Sequence, residues 1–80
     1  MPYIKKKHRD ELFYREPQNA GELQYLMAEM FKDYMHRQGK RYQTLNDVMG
    51  ALSGAQMEFY RKVVEPYEDK KISQNGGVYD

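Results

Sequence analysis

The chain has 80 residues, a formal charge of +1, 40% apolar and 31% charged residues, and no cysteine. That length fits one small domain, and the charge balance makes no global case for nucleic acid or a membrane surface. The missing cysteine excludes a disulfide scaffold, thiolate metal sites and thiol chemistry, and a reducing cytoplasm is the default location.

Residues 1–19 form an irregular N-terminal arm. Met1-Pro2-Tyr3-Ile4-Lys5-Lys6-Lys7 starts basic but has no apolar core, so it does not read as a signal peptide. No apolar run approaches the roughly 20 residues needed to cross a bilayer. Within the arm, Arg9–Tyr14 can form a helical turn that buries Leu12 and Phe13. Pro17-Gln18-Asn19 then marks a turn into a helix.

The first long helix is expected over Ala20–Gln38. Leu23, Leu26, Met27, Met30, Phe31, Tyr34 and Met35 recur at helical spacing. Asn19 suits the N-cap, with Glu22 three residues on in capping-box position. Gly39 supplies the positive-φ stop after a basic last turn, His36-Arg37.

A basic loop, Lys40-Arg41-Tyr42-Gln43, leads to a second helix over residues 44–74, with Thr44 as cap. Its apolar face reads Leu45, Val48, Met49, Leu52, Ala55, Phe59, Val63 and Tyr67. Pro66 lacks an N–H and its ring collides with the carbonyl of Lys62, so the helix must stop or bend there. The pattern carries across it, which favours a bend. Asn75-Gly76-Gly77 ends the helix and Val78-Tyr79-Asp80 forms a tail. The expected fold is therefore all-α: an antiparallel helical hairpin, its long C-terminal helix kinked near Pro66, completed by oligomerisation.

Gly50, Ala51, Gly54 and Ala55 place small residues four apart inside that helix. Two interior glycines cost roughly 1 kcal/mol each, so close approach of another helix is the expected compensation. Packing within the chain and a seam between subunits both satisfy it. Two wide apolar faces and eight tyrosines exceed what one hairpin covers, which points to a homo-oligomer, most simply a dimer.

Chemistry is sparse. His8 and His36 lack a helical histidine partner, and no metal or cofactor is expected. Glu65, Glu68 and Asp69 could act as an acid/base set, but intrahelical pairing such as Arg61–Glu65, Lys62–Glu65 and Glu68–Lys71 is the commoner use. Ser53 and Ser73 have no nucleophile context.

Met1-Pro2-Tyr3-Ile4-Lys5, Tyr42–Leu52, Glu58–Lys71 and Asn75-Gly76-Gly77-Val78-Tyr79 resemble a family of small proteins of unknown function from tailed phages and bacteria, often in prophage-like genes. The likeness spans most of the chain; the polar residues 8–20 depart from it. It implies a helical fold and a phage or prophage setting, but no mechanism.

Three functions follow as expectations. The first is a non-enzymatic protein binding a host or phage protein. The second is a binder of an anionic small molecule such as a nucleotide, with Tyr60, Arg61, Tyr67, Lys70 and Lys71 lining a pocket between subunits. The third is a nucleic-acid accessory protein using Lys5-Lys6-Lys7-His8-Arg9, Arg37, Lys40 and Arg41, with Tyr3 and Tyr42 for stacking.

Overall fold

A computed structural model describes residues 4–12 and 14–79, so the expectations placed on Tyr3 and Phe13 fall outside the described residues. Those residues are all-α, with no strand among them. The helices are α1 (Lys6–Glu11), α2 (Ala20–Gln38), α3 (Tyr42–Phe59) and α4 (Glu65–Asn75), with a π-helical turn at Tyr60–Val64 between the last two. The chain forms two compact units, Met1–Leu45 and Asn46–Asp80.

In the first unit, the helix in the N-terminal arm begins three residues earlier than its composition suggests. Leu12 N–H closes its end on the His8 carbonyl at 3.2 Å, and the Leu12 side chain is buried. Arg9 fixes the entry, donating from Nε to the Ile4 carbonyl at 3.0 Å, while its guanidinium lies 5.6 Å from the centre of the Tyr25 ring.

Helix α2 has the expected bounds. Asn19 Oδ1 accepts from the Glu22 N–H at 2.9 Å, satisfying one of the donors a helix start leaves free. Gly39 ends it at φ 84°, a backbone conformation that side chains rarely adopt. The reciprocal half of the capping box is displaced: the Glu22 carboxylate takes the Gln18 N–H at 3.0 Å. It also accepts two hydrogen bonds from Arg15, at 2.6 and 2.8 Å. Glu22 is 4% exposed and Arg15 half-buried, so the carboxylate of this bidentate pair is held away from water. Arg15 bridges onward to Glu11 at 3.4 Å, tying the end of α1 to the start of α2.

The expected apolar face of α2 is only partly covered. Leu26, Met27, Phe31 and Met35 are half-buried, whereas Leu23, Met30 and Tyr34 remain exposed. Those three stand seven and four residues apart, along one edge of the helix.

Helix α3 starts at Tyr42, two residues before the expected cap. Leu45 N–H reaches the Arg41 carbonyl at 3.1 Å, and Thr44 lies inside the first turn, 1% exposed. With the helix already begun at Tyr42, Thr44 has an interior position and is not the residue that caps the free N–H groups.

In the second unit, helical backbone continues through Pro66, as the apolar pattern favours. The Glu65 N–H bonds to the Tyr60 carbonyl, five residues back, and Pro66 follows in the first turn of α4. The wider turn absorbs the missing N–H and the ring that a regular α-turn could not accept. Gly76, φ 82°, ends α4, its N–H bonded to the Ile72 carbonyl at 2.8 Å.

No described residue between 46 and 79 is buried; Val48, Leu52 and Val64 are half-buried, and Met49, Phe59, Val63 and Tyr67 are exposed. No helix is long and apolar enough to cross a membrane among the described residues.

Candidate functional site

The apolar residues Ala55, Phe59, Val63 and Tyr67 recur every fourth position. On an α-helix each such step overshoots a full turn by about 40°, so the row would wind away from one face. The π turn lies between Phe59 and Glu65, and its wider circuit takes up that overshoot. Leu52, Phe59, Val63 and Tyr67 thus form one straight stripe. Phe59 keeps 60% of its surface exposed and Tyr67 61%.

A second surface lies round the helix. Gly50, Gly54, Met57 and Arg61 follow each other at intervals of four, three and four, the spacing of one helical line. A Cβ added at Gly50 or Gly54 would meet no atom of the described residues within 4 Å. Ala51 and Ala55 sit next round the helix and are also exposed, Ala55 at the edge of the stripe. Beyond the glycines the line opens into a shallow groove lined by Gln56, Met57, Tyr60, Arg61 and Glu65.

The five residues expected to line an anion pocket therefore separate. Tyr60 and Arg61 share the groove. Lys71 instead lies over the Tyr67 ring, 5.5 Å from its centre, and occupies the face on which a base would stack. Lys70 lines neither the groove nor the concavity at the end of α4, which Glu68, Lys71, Ile72, Asn75 and the tail enclose.

The expected intrahelical ion pairs Arg61–Glu65, Lys62–Glu65 and Glu68–Lys71 do not form. In the first unit, Lys32–Glu29 closes at 3.0 Å and Arg37–Asp33 at 3.2 Å. Among the described residues, no three histidine, aspartate or glutamate side chains gather as a metal set. Of the basic loop, Lys40 joins Lys32, Met35, His36 and Gly39 around an open concavity.

Electrostatics single out the first unit too. The Arg15 hydrogen bonds, then the Gln18 N–H, hold the Glu22 carboxyl down at about 2 against partial burial. The Glu22 hydrogen bonds raise Arg15 further above its ordinary value. Burial and a hydrogen bond to Glu29 raise the Tyr25 hydroxyl, while Lys32 and Tyr25 lower Glu29. This cluster knits α1 and α2 together.

Sequence reasoning missed both the Arg15–Glu22 clasp and the π turn in the long helix. The clasp joins residues seven apart across a turn, which periodicity does not detect. The four-residue spacing beside Pro66 was the available sign of the second.

No curated protein and no solved structure matches the chain. Residues 1–78 match a domain of unknown function, DUF6899, and the chain belongs to that family.

Proposed function

We propose that this chain is a non-enzymatic interaction protein of phage or prophage setting. It works as a homo-oligomer in the host cytoplasm and binds a host or phage protein through the line Gly50, Gly54, Met57, Tyr60 and Arg61. The single observation that carries this is the free groove on α3 and the π turn, where two glycines with open space above them lead to a tyrosine and an arginine. Small residues let a partner helix come close, and Tyr and Arg are the side chains that most often dominate binding energy. The phage setting rests on the resemblance carried by the Glu58–Lys71 stretch and the two chain ends.

Affinity capture from host lysate tests the reading. The intact chain should enrich a discrete partner. Tyr60→Ala with Arg61→Ala should weaken its retention about thirtyfold, the loss expected when an anchor pair worth roughly 2 kcal/mol is removed. Equal enrichment by the double variant would exclude this groove as the binding surface.

A further inference from the structure

We infer that the turn between α2 and α3 binds single-stranded nucleic acid, taking a backbone phosphate at Lys40 and Arg41 and stacking the neighbouring base on Tyr42. This goes beyond the protein partner proposed for the groove on α3 and uses other residues.

Three observations carry it. The first is the shape of the turn. Lys32, Met35, His36, Gly39 and Lys40 surround an open concavity of about 440 Å³, volume enough for a nucleotide. Met35 is half-buried and gives it an apolar wall. The Gly39 carbonyl accepts the Arg41 N–H at 3.0 Å, which closes the turn tightly. A Cβ added at Gly39 would lie 3.8 Å from Arg41 Nε, so the guanidinium stands beside the rim.

The second is charge. The acids of this region are already engaged, Glu29 by Lys32 at 3.0 Å and Asp33 by Arg37 at 3.2 Å. From Tyr34 to Asn46 the sequence has no acid. Lys40 and Arg41 are therefore in excess, and none of the ion pairs among the described residues uses them. His36 and Arg37 already give the last turn of α2 the cations its dipole favours. Lys40 and Arg41 instead directly precede α3, where the dipole favours acids and the first turn holds none. Cations set against the local field, with no counter-charge among the described residues, are open to an anion from outside.

The third is Tyr42, which opens α3 and keeps 84% of its surface exposed. It follows Lys40 by two residues, at most about 7 Å of chain. Cations beside an aromatic ring suit a strand: they attract the backbone, and the ring offers a sequence-tolerant stacking platform. An acidic peptide would use the cations and leave the ring idle. An open concavity cannot enclose a free nucleotide, whereas a strand is gripped from one side as it passes. The basic arm is the weaker candidate, because Arg9 turns inward to the Ile4 carbonyl and the Tyr25 ring.

Fluorescence anisotropy of the full chain with a labelled oligothymidylate of about 12 nucleotides tests the site. Binding should weaken as salt rises. Lys40→Gln with Arg41→Gln should flatten the slope of log affinity against log salt by roughly 0.7 for each cation removed. Tyr42→Ala should cost about tenfold in affinity and Tyr42→Phe almost nothing, since stacking needs the ring and not the hydroxyl. An abasic oligomer of the same length keeps the phosphates without the bases. It should bind the native chain about tenfold more weakly, and Tyr42→Ala should not change its affinity. Equal affinity of the native chain for the abasic and thymidylate strands, or binding of neither, would overturn the inference without appeal to any variant. Binding that survives the change of Lys40 and Arg41 but is lost when Lys5, Lys6 and Lys7 become glutamine would also overturn it, by moving the strand to the arm.

Discussion

Arg15→Ala will lower Tm by about 10 °C, because it strands a carboxylate that the fold has already taken out of water. Glu22 keeps only the Gln18 N–H once the guanidinium is gone, and the tie from α1 to α2 through Glu11 is lost with it. The same clasp sets the acid response. Glu22 is held at about 2 in the folded chain and near 4.5 when unfolded, so the folded state binds its proton less readily. Its stabilisation is fully present above pH 4.5, and it is lost as pH falls from there towards 2. Thermal melts across pH 2–7 should show wild-type Tm falling through that window, and Glu22→Gln should flatten the fall while starting lower at neutral pH. A wild-type Tm that does not change between pH 4.5 and 2 would show that the pair contributes nothing to folding.

Gly50→Ala combined with Gly54→Ala will act in the opposite direction. Each glycine costs a helix interior about 1 kcal/mol relative to alanine, and the added methyl meets no atom within 4 Å. The pair should add about 2 kcal/mol, raising Tm by roughly 8–15 °C in a chain of this size. Two methyls on the groove line should also hold a partner helix off, so retention of the captured protein should fall as Tm rises. Self-association, measured by light scattering, should not change. A lower Tm in the purified double variant, with dissociation of the oligomer, would instead make the glycine line the subunit seam.

What the residues announced in advance was local. Asn19 and Gly39 bracket α2 because a cap acceptor and a positive-φ stop act within a few residues, and the helix obeys both. The passage through Pro66 was legible for a similar reason: Phe59, Val63 and Tyr67 keep their apolar spacing across it. Other features depend on neighbours that periodicity cannot name. Thr44 has the composition of a cap, yet it lies buried inside the first turn of α3. Glu22 fits a capping box, yet Arg15 and Gln18 claim its carboxylate. The π turn that lines up the apolar row was missed, because the proline by itself announces only that a helix stops or bends. The interior glycines were tied to close packing, and no atom of the described residues comes within 4 Å of a Cβ added at either.

The proline and the π turn together act as a phase corrector for the helix. Apolar residues placed every fourth position would slip steadily round an unbroken α-helix, and one wide turn resets the count once in the Tyr42–Asn75 run. Residue type at 66 and apolar spacing upstream of it are therefore coupled. A relative with another residue in place of this proline has no reason to keep the wide turn, and should return to alternating steps of three and four if it is to present the same straight row. A relative that retains the proline should keep the fours. Aligning members of the family on this one position would show whether the row itself, rather than any single side chain in it, is what the helix preserves.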